Sequence, residues 1–101
     1  MRFEWDPAKA RSSRRKHKVS FDEAVTVFRD PLARIVEDPD HSIDERREIA
    51  IGHSIMNRLL FVFFTERDKG KLRIITARQA TRQERNSHAL PSARNDAARL
   101  L

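Results

Sequence analysis

The chain of 101 residues has no cysteine, only two glycines and four prolines, and no apolar run longer than Leu59 to Phe64. Each shortage closes off a class of chemistry. Without thiols there are no disulfide staples, no cysteine nucleophile and no thiolate metal site, so the fold holds by packing alone; the lack also agrees with a reducing compartment. A membrane-spanning helix needs about 20 consecutive apolar residues, more than any segment supplies. The opening Met1-Arg2-Phe3-Glu4-Trp5-Asp6 lacks the apolar h-region of a secretory signal, so the expected location is the cytoplasm. Gly52 and Gly70 cannot form a Gly-rich phosphate cradle, so no nucleotide cofactor is expected. The four histidines, at positions 17, 41, 53 and 88, have no metal-ligand spacing, and no metal is expected either. The acidic stretch Asp38-Pro39-Asp40-His41 with Asp44 and Glu45 lacks the glycine and ligand order of a calcium loop and reads as a solvated connection.

What is abundant is charge. Lys and Arg number 21 against 15 Asp and Glu, a formal +6. The excess is not uniform: residues 1–18 carry seven basic and two acidic side chains, residues 19–66 five and ten, and residues 67–101 nine and three. Two basic ends flank an acidic middle, a distribution that suits a polyanion on one surface and a basic partner on another, or simply keeps a small domain soluble. The apolar fraction of 39% comes in periodic blocks, enough for one core in a chain that buries roughly 60–70% of its unfolded surface.

Asp6 before Pro7 reads as an N-cap with proline at the first helical position, opening a basic helix through about Lys16 that is anchored by Phe3, Trp5, Ala8 and Ser12. Ser20-Phe21-Asp22-Glu23 is a capping box, and Phe21, Ala24, Val25 and Phe28 follow at helical spacing, predicting a second helix that ends near Asp30, before Pro31. The period then changes. Four strands are predicted, over 33–37, 47–53, 58–66 and 71–78, with tight connections at 54–57 and 67–70 that make neighbours antiparallel. The third is expected to be central, because Leu59, Phe61 and Phe63 point one way and Leu60, Val62 and Phe64 the other. In the second, the face of Glu48 and Ala50 is expected to be half in solvent. Thr81-Arg82-Gln83-Glu84 is another capping box, starting a helix through about Leu90. The expected class is α+β: two N-terminal helices, a four-stranded antiparallel sheet and a C-terminal helix, one domain over 1–90 with an extension over 91–101.

The informative cluster is basic. Glu66 and Arg67 end one predicted strand, Arg73 and Arg78 lie on the next, and Arg82, Arg85 and His88 follow on the last helix. Pairing through the short loop would carry Arg73 towards Glu66 and leave Arg78 beside the start of that helix. Guanidinium forks bind phosphate bidentately and stay charged. RNA can be cut without a metal when its own 2′-hydroxyl attacks the neighbouring phosphate. Glu66 or His88 would exchange protons there, and Arg67, Arg78, Arg82 and Arg85 would stabilise charge. The same residues equally suit a non-catalytic nucleic-acid or partner-binding module, or an ordinary solvated face.

Several segments in order resemble the BrnT family: Phe3-Glu4-Trp5-Asp6-Pro7-Ala8-Lys9, Lys16-His17, Val19-Ser20-Phe21-Asp22-Glu23-Ala24, Asp30-Pro31, Asp38-Pro39-Asp40-His41-Ser42, Glu45-Arg46-Arg47, Ile51-Gly52, Arg73-Ile74-Ile75-Thr76-Ala77-Arg78 and Ala80-Thr81-Arg82-Gln83-Glu84-Arg85. The resemblance implies a RelE-like fold and a ribonuclease toxin that blocks translation. It also implies a BrnA-type antitoxin that neutralises it, two toxins with an antitoxin dimer, and operator DNA met only through that antitoxin. By position in the matching segments it places catalysis on Arg78, Arg67, Glu66, Arg82 and Arg85, with Arg73, His88, Lys9 and Lys16 on the RNA. The chain departs from the family at Ser13, where Asn is usual, at Lys18, where Gly is, and at His88, where an aromatic, typically Tyr, stands.

Overall fold

The computed structural model describes residues 1–39, 46–68 and 70–88. Strand β1 (Arg2–Trp5) leads into helix α1 (Pro7–His17), then α2 (Phe21–Val25), which tightens into a 3₁₀ turn over Thr26–Arg29. Strands β2 (Arg34–Glu37), β3 (Arg47–His53), β4 (Leu59–Glu66) and β5 (Lys71–Gln79) follow, then helix α3 (Arg82–His88). The proposed boundary at residue 90 and the extension beyond it lie outside the described residues.

The sheet corrects the four-stranded antiparallel expectation. It has five strands in the order β1-β5-β4-β3-β2, and β1 runs parallel to β5, with Phe3 opposite Leu72 and Trp5 opposite Ile74. Nothing local marks β1: it is four residues long, abuts a helix cap, and finds its partner almost seventy positions later. Its aromatic face is what holds it. Phe3 packs on Phe28 at 5.2 Å and Trp5 meets Phe21 edge-on at 5.7 Å.

Extended geometry at Phe3 and Trp5 also changes which residues of α1 face inward. Ala8 and Ser12 are exposed, whereas Ala10 packs on the core and Ser13 is buried. The Ser13 hydroxyl donates to the Ala77 carbonyl at 3.2 Å and lies 3.1 Å from Thr76 Oγ1, joining α1 to β5. Asp6 caps the helix as expected, accepting from the Ala8 amide at 2.8 Å. Lys18 ends it in the left-handed conformation, φ 61°, which glycine adopts more readily.

The Ser20 hydroxyl accepts from the Glu23 amide at 3.1 Å, but Glu23 does not complete the box. Its carboxylate turns into the protein, accepts from Ser54 Oγ at 2.7 Å and pairs with the Arg58 guanidinium through Nε, at 2.9 Å, and Nη2. Arg58 Nη2 also donates to the Lys18 carbonyl at 3.1 Å, so one ion pair fastens the β3–β4 connection to both N-terminal helices. Arg58 holds the Glu23 carboxyl below its ordinary pKa against the opposing effect of burial.

β4 is central, as its double-sided alternation requires. Leu60, Val62 and Phe64 enter the main core beneath α2 and the 3₁₀ turn, while Leu59, Phe61 and Phe63 lie on the other face with Ile49 and Ile51. β3 corrects another expectation. Ala50 is in the main core and Glu48 is 6% exposed, because β2 and β4 flank this strand and both of its faces are covered. An irregularity in the β4–β5 pairing sets Phe63 opposite Thr76 but Phe64 opposite Ile74, leaving Ile75 as an extra residue. Strict alternation would place Arg73 and Arg78 on opposite faces. The bulge resets the phase, so both share the face of Phe61 and Phe63.

Gly52 lies where β3 crosses the 3₁₀ turn, and a Cβ there would stand 2.8 Å from Ala33 Cβ and 3.0 Å from Asp30 Oδ2. Gly52→Ala is therefore expected to cost about 1–3 kcal/mol, read as a lowered denaturation midpoint with an unchanged m-value.

Candidate functional site

Among the described residues the second sheet face receives only the short helix α3, which Arg78 ties to the sheet. Arg78, opposite Phe61 in the β4–β5 ladder, lays its guanidinium 4.6 Å from the Phe61 ring centroid and 5.8 Å from that of Phe63. Glu84 on α3 grips it with two bonds, Nη1 to Oε1 at 2.8 Å and Nη2 to Oε2 at 3.0 Å. The same carboxylate completes the α3 capping box: Glu84 Oε1 accepts from the Thr81 amide at 2.8 Å, and Thr81 Oγ1 accepts from the Glu84 amide at 3.1 Å. Arg78 chiefly, and the Thr81 amide after it, pull the Glu84 carboxyl down to about 2 against burial. Glu84 is thus an anion at ordinary pH and a weak base. It orients Arg78 rather than exchanging protons.

Arg85 Nη1 donates to the Ala80 carbonyl at 3.4 Å, tying α3 to the end of β5, and Arg82 is exposed in the helix's first turn. Between α3 and the sheet lies a cavity of about 310 Å³ lined by Arg34, Ile51, Phe61, Gln83, Glu84 and Ser87. Its lining brings together one guanidinium, an aromatic ring, neutral hydrogen-bonding groups and the carboxylate that holds Arg78, a set able to stack a base on the ring beside a cation.

The expected basic cluster divides into separate places. Glu66 lies opposite Leu72 and Arg78 opposite Phe61, so the two ends are six β5 residues apart, about 20 Å at strand rise. Glu66 and Arg67 line an open cavity of about 440 Å³ with Arg46, Thr65 and Asp68. Arg73 does not approach Glu66. It donates to Glu4 Oε2 of β1 at 2.8 Å, with Lys71 Nζ 3.6 Å from the other carboxylate oxygen. Lys9 and Lys16 are exposed on α1, which packs through Ala10 against the main core and so lies across the sheet from Phe61. His88 is the last residue of α3, one turn beyond Glu84. Among the described residues, no group of three or more His, Asp or Glu side chains is placed to hold a metal ion.

The sequence reading had overlooked Glu84, Arg34 and Phe61 as site residues. Glu84 was visible only as a cap. Its second role needs the bulge in β5 to bring Arg78 onto its side.

The mixed five-stranded sheet with its helices is the fold of a ribonuclease toxin of known structure. The crystal structure of the Brucella abortus ribonuclease toxin BrnT superposes with a TM-score of 0.63 at 21% identity, covering 81% of this chain and 99% of that one. The sequence profile of the BrnT ribonuclease toxins of type II toxin-antitoxin systems matches residues 5–84, and the chain belongs to that family. No curated protein sequence matches it. The matched stretch contains Glu66, Arg67, Arg73, Arg78, Arg82 and Glu84; Arg85 and His88 follow it.

The lowered Glu84 pKa fixes a sign. Its contribution to stability is fully present above about pH 4.5 and is lost as pH falls towards 2. Glu84→Gln should be less stable than the parent by roughly 1–2 kcal/mol at pH 7. Denaturant titrations across the acid range should show that gap closing between pH 4.5 and 2.

Proposed function

We propose that this protein is a metal-independent endoribonuclease that arrests translation by cutting RNA in the cytoplasm. A BrnA-type antitoxin would hold it inactive in a complex of two toxins and an antitoxin dimer, with operator DNA contacted through the antitoxin. Family membership supports the class of activity. The observation that carries the site is Arg78, held in a two-bond grip by Glu84 above Phe61 on the half-covered sheet face.

In this reading an RNA strand lies on that face with a phosphate at Arg78. A base takes the proton of the 2′-hydroxyl, the freed oxygen attacks the adjacent phosphorus, and the bond to the 5′-oxygen breaks as that oxygen takes up a proton. The products are a 2′,3′-cyclic phosphate and a 5′-hydroxyl. Arg78 offers its charge to the equatorial oxygens, whose negative charge grows in the transition state, without reorganising, because Glu84 has already oriented it. Arg82 and Arg85 add positive potential along α3, and His88, one turn beyond Glu84, is the residue to which this reading gives the proton exchange. Arg73, Lys9 and Lys16 contact RNA away from the reacting phosphate.

A second reading is favoured by the cavity that joins Glu66 and Arg67 to Arg46, where a carboxylate and two guanidiniums lie together. It places the proton transfer at Glu66 and charge stabilisation at Arg67. The two readings separate by mutation. If Arg78 is the centre, expression of the parent chain alone arrests growth, Arg78→Ala and Arg78→Lys both relieve the arrest, and Glu66→Gln does not. Arg78→Lys keeps the charge but not the fork, so it separates loss of phosphate recognition from loss of folding, which circular dichroism of each variant checks. Relief by Glu66→Gln or Arg67→Ala, with Arg78→Lys still toxic, would move the chemistry to the other end. The purified parent should cut RNA at an undiminished rate in EDTA.

A further inference from the structure

Five cations of the sheet and its connections are matched by carboxylates. Arg46 faces Glu37, Arg58 pairs with Glu23, Lys71 and Arg73 share Glu4, and Arg78 is held by Glu84. Helix α1 is different. Lys9, Arg11, Arg14, Arg15 and Lys16, with Lys18 at its C-cap, are all exposed, and among the described residues none of them has an ion pair. The acid nearest to Lys9 and Arg11 in sequence, Asp6, is committed to capping the helix through the Ala8 amide.

Local stability does not account for this set. The last turn favours cations, which explains Arg14, Arg15 and Lys16, but the helix dipole disfavours them in the opening turns where Lys9 and Arg11 sit. Like charges at i,i+3 and i,i+4, as in Arg11 with Arg14 and Arg15, repel one another. The patch therefore costs the isolated protein something, and a ligand of opposite charge would reverse that cost.

We propose that α1 is a docking surface for the phosphate backbone of folded RNA, separate from the sheet face that carries Arg78. The chemistry of the surface selects the partner. Its exposed residues are Pro7, Ala8 and Ser12 besides the cations, so it offers no large apolar side chain around which a protein interface could bury a core. Nucleic-acid interfaces, by contrast, are polar and strongly positive. Three of the cations are arginines, which grip phosphate bidentately. At about 100° and 1.5 Å per residue, Lys9 to Lys18 span about 13 Å of axis and more than half the circumference. Cations on both flanks of a helix about 10 Å wide can meet two phosphate ribbons at once, as across the wide minor groove of double-helical RNA. A single extended strand reaches only one flank. The inference rests on the RNA reading above for the identity of the polyanion, but not on any cleavage.

Binding to 2′-O-methyl RNA, which has no free 2′-hydroxyl to attack, tests it without any turnover. The full chain is titrated with a stem-loop and with an unstructured strand of equal length over a range of salt. The parent should prefer the stem-loop, and Arg11→Gln/Arg15→Gln, which keeps good helix formers, should weaken stem-loop binding at least 10-fold and reduce the magnitude of the log–log salt slope by about 2. Arg2→Gln/Arg29→Gln removes the same charge elsewhere and should leave that slope unchanged. Equal losses from both double variants would reduce the effect to net charge and overturn the proposal. So would unchanged RNA binding by the α1 variant, including the case where it loses only its affinity for polyglutamate, which would assign the helix to an acidic protein. A chain that never cuts RNA yet passes this test would refute the ribonuclease reading alone, and an active ribonuclease that fails it would refute only the docking surface.

Discussion

A strand that is apolar on both faces has to be covered twice, and β4 imposes that demand on the whole chain. The N-terminal half meets the first demand: β1, α2 and the 3₁₀ turn bring Phe3, Trp5, Phe21 and Phe28 into one core with Leu60, Val62 and Phe64. The second face is closed more sparingly. Ile49, Ile51 and Leu59 are nearly buried, but Phe61 and Phe63 stay half-exposed, and the seven-residue α3 is held there by Arg78 and Glu84. Among the described residues Phe61 and Phe63 keep part of their surface exposed, because the helices other than α3 pack on the other side.

The same economy governs the charges. Glu4, Glu23, Glu37 and Glu84 each fix a basic side chain, and two of the four, Glu4 with Arg73 and Glu23 with Arg58, join elements far apart in sequence. Glu84 does most, since one carboxylate caps α3, orients Arg78 and is kept ionised by that arginine. Under the proposed mechanism an Arg78 oriented in advance by Glu84 would help a transition state rather than merely attract a substrate. α1 follows the opposite rule, with charge displayed and left unmatched.

Much of this was legible in the residues. Strand limits, the centrality of β4 and its two faces follow from alternation, and both Thr81–Glu84 and Asp6–Ala8 cap as their spacing says. What stayed hidden depended on distant partners. β1 exists because β5 offers an edge to a four-residue segment with aromatic teeth. Glu23 leaves its capping box because Arg58 offers a stronger interaction than the Ser20 amide. Glu66 to Arg85 is short in sequence, and strand pairing already implies that Arg78 lies at the other end from Glu66, beside the last helix. On a fully extended β5 the cluster spreads over about 20 Å, and a bulge at Ile75 decides which arginines share a face.

The central claim is that attack comes from the RNA's own 2′-hydroxyl on a phosphate held by Arg78. Mass spectrometry of the fragment ends, after incubating a short RNA with the purified chain in EDTA, tests this most directly. The mechanism predicts 2′,3′-cyclic phosphate and 5′-hydroxyl ends, with no products from a substrate carrying a 2′-deoxy or 2′-O-methyl sugar at the cut site. Fragments ending in 3′-hydroxyl and 5′-phosphate, or cutting of the 2′-deoxy substrate, would contradict it, because water and not the ribose would then be the nucleophile.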